Sequence, residues 1–272
     1  METAFAVAPT QPSFSVGGVI GRTFSAWSKN LVPFAGLAAL VNAPAFLVGL
    51  WSQYATYGGY PSFGQVVATA QRGQRAAGPF QGWGASTLAL GLATAVMVFV
   101  EMGALTYGAI QHLAGRKVSV GALLGAGFRR LWPVFLVGVA CWLLIMLGTI
   151  LFVVPGVILF CAVVAAIPAV VAEGKGPIDA VRRSFALTKG RRFSIFVVSL
   201  VMGIVAWIAS AIVGFLPLAL GGGTASLVAA LFGFAVQALV TPLWTLLPAV
   251  VYHDLRIEKE GVDTAELAKV FE

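Results

Sequence analysis

The chain has 272 residues, 59% of them hydrophobic and only 10% charged, with a mean hydropathy of +0.94 and a formal net charge of +7. Soluble domains carry about 25% charged residues, so an ordinary soluble globule is excluded. Apolar runs longer than ~18 residues recur until little chain is left for a water-soluble domain, which places the positive charge against a membrane surface before nucleic acid is considered.

Residues 1–12 read as a disordered tip without a signal peptide, so the first span itself must direct insertion. Residues 13–30 put Val16, Val19, Ile20, Phe24 and Trp27 at helical spacing, with Arg22 and Lys29 off that stripe. A helix of this kind floats in the interface. The first span follows over about 31–51, with Pro33 at its entry and Pro44 expected to kink it. Residues 52–84 are the longest polar segment. Tyr54, Tyr57 and Tyr60 suit an interfacial belt, and Phe63, Val66, Val67 and Ala70 predict a short surface helix beside Arg72 and Arg75.

The second span is expected over about 85–111. Ser119 can then cap a short helix whose Leu123, Leu124 and Phe128 are expected to face lipid and which ends at Arg129 and Arg130. Spans three and four, about 132–153 and 155–172, are joined by a tight turn at Val154-Pro155-Gly156. The next segment is basic. Gly176-Pro177 opens a helix with Ile178, Val181 and Phe185 on its apolar edge and Arg182, Arg183 and Lys189 elsewhere, and Gly190 stops it. Spans five and six, about 193–216 and 225–252, are separated by a turn at Gly221-Gly222-Gly223. The tail 253–272 is charged and reads as soluble, with a last helix from Thr264.

Six spans give an all-α, polytopic membrane fold with amphipathic interfacial helices, and they sort the charge. One side carries 15 of the 17 Lys and Arg; the other has Arg72 and Arg75 alone. The positive-inside rule then places both termini in the cytoplasm of a multi-pass plasma (inner) membrane protein. An internal repeat runs through the chain. Ser15-Val16-Gly17, Gly21 and Phe24 match Ser119-Val120-Gly121, Gly125 and Phe128 at a constant offset, and Pro168-Ala169-Val170-Val171 matches Pro248-Ala249-Val250-Val251. The implied unit is an interfacial helix followed by a two-span hairpin, used three times.

Glu101 is the one ionisable residue inside a predicted span, ~16 Å from the nearer end at the helical rise. A carboxyl there must face protein or a wet cavity. It is either a proton or cation site or a protonated group hydrogen-bonded to a neighbouring helix. Arg182, Arg183, Lys189, Arg191 and Arg192, with Arg129 and Arg130, could bind anionic head groups at roughly 1 kcal/mol per surface charge, or they merely fix topology. Gly17/Gly21 and Gly121/Gly125 are candidates for close helix packing. Cys141 and Cys161 sit at depths differing by roughly 10 Å at the helical rise, too far for a disulfide. His112 and His253 belong to no ligand-spaced cluster, so no metal or cofactor is expected. Ser184 lacks a nearby histidine base, and the Gly221–Gly223 run lacks the Lys-Ser/Thr of a phosphate loop.

Four motifs carry a family resemblance: Gly115-Arg116-Lys117-Val118-Ser119 with Gly121-Ala122-Leu123; Val154-Pro155-Gly156; Glu173-Gly174-Lys175-Gly176-Pro177 with Ala180, Arg183-Ser184 and Leu187-Thr188-Lys189-Gly190; and Tyr252-His253-Asp254-Leu255-Arg256 with Lys259-Glu260-Gly261. On these the chain resembles the membrane domain attached to some bacterial glycerophosphodiester phosphodiesterases and also found alone. The resemblance covers roughly residues 15–265 and implies architecture, not reaction, since a catalytic barrel of ~250 residues has no room here. The expected function is a non-enzymatic membrane protein that organises anionic lipids, protein partners or further copies of itself at the cytoplasmic leaflet. The alternative is a small transporter or lipid-translocating protein using Glu101.

Overall fold

The computed structural model describes residues 14–57, 68, 85–219 and 224–261, with side chains described for 14–51, 54, 68, 91–213 and 227–261. The predicted tip, the short helix after Pro61 (apart from residue 68), the glycine turn and the helix from Thr264 lie outside the described residues. Everything described is helix or short connector, without a strand: α1 (Val16–Lys29), α2 (Leu31–Tyr57), α3 (Ala85–Leu113), α4 (Val120–Arg129), α5 (Leu131–Leu151), α6 (Val153–Val163), α7 (Ala166–Glu173), α8 (Pro177–Thr188), α9 (Arg192–Ala219) and α10 (Thr224–Glu260). Six helical stretches are long and apolar enough to cross a membrane: α2, α3, α5, α6 with α7, α9 and α10. The chain is a polytopic α-helical membrane protein.

The spans pack as three hairpins in a ring. Spans two, four and six (α3, α6–α7, α10) touch one another and form the inner set. Each outer span packs on its own hairpin partner and on the inner span of the preceding hairpin: α2 on α3 and α10, α5 on α6 and α3, α9 on α10 and α6. Burial follows this layout in spans two and four, whose apolar windows are 50% buried against 22% in each outer span, while the window of the long sixth span is 28% buried. The short helices repeat the pattern, α1 lying along α10, α4 along α3, and α8 along α7. The inner spans also end alike, on left-handed glycines Gly115 (φ 75°), Gly174 (φ 64°) and Gly261 (φ 65°). A Cβ is strained in that conformation, so glycine closes each of them.

The short helices do not float. Val19, Thr23 and Ala26 of α1, Leu123 and Gly127 of α4, and Ala180, Ser184 and Leu187 of α8 are buried. At the repeat spacing these fall on matching positions. The expected lipid-facing edge of α4 is corrected at Leu123, which is fully buried beside Leu105 and Phe34, while Phe128 is 51% exposed. The glycine pairs are corrected too. Built Cβ atoms on Gly17, Gly21, Gly121 and Gly125 would meet nothing within 4 Å. The close approach belongs to Gly127, where a Cβ would lie 2.5 Å from the Val100 carbonyl oxygen. The predicted cap at Ser119 holds, its Oγ accepting from the Ala122 N–H at 3.4 Å, and Ser15 caps α1 in the same way, its Oγ accepting from the Gly18 N–H at 3.2 Å.

The turn predicted at Val154-Pro155-Gly156 falls at Phe152 instead, and those three residues already belong to α6. Two spans also depart from their predicted form. The fourth is broken at Val164-Ala165. Ser184 of α8 intrudes there, its hydroxyl donating to the Ala162 carbonyl at 2.7 Å and accepting from the Ala165 N–H at 3.1 Å, while the Thr188 hydroxyl reaches the same carbonyl at 3.3 Å. Side chains thus satisfy backbone groups that the break frees, as a broken helix at membrane depth requires. The sixth span runs on to Glu260, so the first turns of the expected soluble tail are helix, with Tyr252, His253, Asp254 and Leu255 buried. At 37 residues α10 spans ~55 Å, well beyond a ~30 Å hydrocarbon core. That length leaves room for its charged last turns, residues 256–260, beyond a hydrocarbon core.

Candidate functional site

The inner spans, the short helices and most of the charge meet at one end of the ring, here called the basic end. Glu173 closes α7, and α8 and the end of α10 converge on it. Its Oε1 accepts from Arg183 Nε at 3.0 Å and from the Tyr252 hydroxyl at 2.5 Å, and its Oε2 lies 3.1 Å from Lys175 Nζ. Arg183 also pairs with Glu260 Oε1, and Glu260 Oε2 accepts from Arg256 Nε at 2.9 Å. Burial works against the charge of Arg183, but Glu260 and Glu173 outweigh it and hold the guanidinium above its usual range. The result is a clasp joining α7, α8 and α10. Similar fastenings recur around the ring: Arg22 with Asp254, Arg191 Nε with Glu258 at 2.8 Å, and Lys259 Nζ on the Ala186 and Lys189 carbonyls at 2.8 Å each.

These bonds divide the predicted lipid-binding set. Arg183 and Arg191 are spent on ion pairs, and Arg130 donates to the Val170 and Val171 carbonyls. Arg129, Arg182 and Lys189 remain exposed. Arg192, the first residue of α9, is half-buried with its guanidinium 5.5 Å from the centre of the Phe185 ring, and its Nε is buried without a hydrogen-bond partner. At this end the described residues hold 14 Lys and Arg against five Asp and Glu, and four of those acids are in ion pairs. The charge left to face the surroundings is positive.

Glu101 is 4% exposed, and its Oε2 accepts from Asn42 Nδ2 of α2 at 3.0 Å. Its Oε1 is buried without a partner. The same Asn42 amide donates to the Ala38 carbonyl at 2.8 Å, so the pair clamps the first hairpin. A cavity of 540 Å³ lies on the other side of α3. Phe99, Met102 and Thr106 line it from α3, Val163, Val164 and Ile167 from the broken span, and Leu247 and Pro248 from α10. Trp142 of α5 and Trp244 of α10 also line it, and they are 59% and 44% exposed. The cavity therefore opens toward the lipid-facing surface. Glu101 does not line it.

Sequence reasoning missed Glu173, Tyr252, Arg256 and Glu260 as one network, although all four stand in the motifs that carried the resemblance. Ser199, buried in the cavity wall with an unpartnered hydroxyl, was missed as well. A polar residue within an apolar span was the available signal for it, as for Asn42. Cys141 and Cys161 are buried free thiols. Among the described residues no three His, Cys, Asp or Glu side chains are grouped to hold a metal. Compared with protein-family models, curated proteins and solved structures, the chain matches none.

Proposed function

We propose that this is a non-enzymatic plasma-membrane protein, cytoplasmic at its basic end, that gathers anionic lipids around that end. The observation that carries the reading is the basic fringe left after internal pairing, with Arg129 exposed at the end of α4, Arg182 midway along α8 and Lys189 just past the end of α8. Each such charge near an anionic surface contributes ~1 kcal/mol, screened by salt. The orientation rests on the bias of Lys and Arg toward this end. The likeness to the stand-alone membrane domains of glycerophosphodiester phosphodiesterases is retained as a proposal about architecture and supplies no reaction.

The test is energy transfer from the protein's tryptophans to labelled lipids in reconstituted bilayers. Phosphatidylglycerol probes are expected to be enriched over phosphatidylcholine probes. The combined variant Arg129→Gln, Arg182→Gln, Lys189→Gln is expected to lose at least half of that enrichment, as is the unaltered protein in molar salt. Equal transfer to both lipids removes the proposal. A second reading, transport through Glu101, draws on the unpartnered Oε1 of that residue. It requires an ion or lipid flux in proteoliposomes that Glu101→Gln abolishes, whereas the clamp with Asn42 requires none.

A further inference from the structure

The cavity, the hydroxyl of Ser199 and the guanidinium of Arg192 lie along one line. Arg192 and Ser199 are seven residues apart on α9, hence on one face and ~10 Å apart along the axis. Ile195, between them on that face, is fully buried, so the line runs against the protein rather than out into lipid. At the deeper end Ser199 is 7% exposed, lines the cavity and has no hydrogen-bond partner. At the shallower end Arg192 has its Nε buried without a partner and makes no ion pair among the described residues. The cavity is apolar, lies within the spans and opens past two exposed tryptophans. Its 540 Å³ falls in the ~300–1,000 Å³ range of built ligand sites, which occur between the helices of bundles. Apart from Thr106, Ser199 and Thr245 the lining residues are apolar, glycine or proline, which suits an acyl chain better than waters that each need two to four polar partners.

The geometry points to a site for one anionic phospholipid, with an acyl chain entering past Trp142 and Trp244 into the cavity and the phosphate meeting Arg192. The chain gains roughly 0.8 kcal/mol for each methylene taken from water into an apolar space, but a bilayer lipid is already in hydrocarbon. Selectivity therefore comes from the polar contacts. Arg192 offers a charged fork to phosphate oxygens, and Ser199 offers one donor to a carbonyl oxygen on the chain. The site rests on the reading that this protein engages anionic lipid, but it uses residues apart from Arg129, Arg182 and Lys189, so the two can fail separately.

The experiment is native mass spectrometry of the full chain released from nanodiscs containing phosphatidylglycerol, phosphatidylcholine of the same chains, or phosphatidylcholine with free palmitate. One phosphatidylglycerol is expected to stay bound per chain, with phosphatidylcholine or palmitate retained at least tenfold less. Arg192→Gln and, independently, the cavity-filling variants Met102→Trp and Ile145→Trp are expected to cut retention at least tenfold. The triple Gln variant of the exposed fringe is expected to leave it unchanged. Unaltered helical circular dichroism and monodisperse elution identify the variants that count, and two cavity variants are made so that one misfolded protein does not decide the matter. No retained lipid, equal retention of phosphatidylcholine or palmitate, or retention unchanged by either Arg192→Gln or the folded cavity variants overturns the site. Loss in the fringe variant alone overturns the site while leaving the proposed function standing.

Discussion

Ser184 is where one side chain changes the course of a whole span. It occupies the position held by Thr23 in α1 and Gly127 in α4, and all three face an inner span. At Gly127 the absent side chain lets backbones meet; at Ser184 a hydroxyl replaces helix hydrogen bonds and the span breaks. Removing that hydroxyl leaves the buried Ala165 N–H without its partner and the Ala162 carbonyl with Thr188 alone, at ~1–3 kcal/mol. Ser184→Ala is therefore expected to lower unfolding stability by that amount in a denaturant titration, and an unchanged midpoint would deny Ser184 this role. Arg183→Gln is expected to cost roughly 2 kcal/mol, below the ~3–5 of a fully buried pair, because Arg183 and Glu260 are 21% and 25% exposed. The cap at Ser119 was legible in the sequence because a cap is a contact over three residues. Arg183 was read as a lipid ligand because Glu260, 77 positions away, cannot be found by local pattern.

At the scale of elements, the hydropathy of the chain was enough to find all six spans, since spanning helices need only length and low charge. The faces of the short helices were harder. Their apolar residues suggested lipid contact, but the side turned inward sets small residues (Thr23, Ala26, Gly127, Ala180, Ser184) beside Val19, Leu123 and Leu187, and close approach to another helix favours small side chains. This reverses the reading of the glycine pairs. Gly121→Ala is expected to be neutral or to stabilise α4 by up to ~1 kcal/mol, since alanine is the better helix former and space is open there. Gly127→Ala is expected to destabilise by ~1–3 kcal/mol through overpacking against Val100 and Ala104. Paired unfolding curves check both, and equal effects would contradict the packing of α4 on α3. The break in the fourth span and the length of α10 were not legible, because both depend on partners distant in sequence.

For the whole molecule, the repeat in the sequence becomes a ring in space: each unit lends its short helix and outer span to the inner span of the unit before it, and the last unit receives those of the first. The arrangement turns three similar segments into a closed bundle and brings every connector with Lys and Arg among the described residues to one end. That end is proposed to lie in the cytoplasm and to hold the lipid-gathering surface, so its orientation decides the account. The direct measurement is labelling of Lys189→Cys, in a Cys141→Ser, Cys161→Ser background, with a membrane-impermeant maleimide in intact cells and in inverted membrane vesicles. Labelling in the vesicles and none in intact cells is the result expected; labelling of intact cells would put the basic end outside and contradict the account.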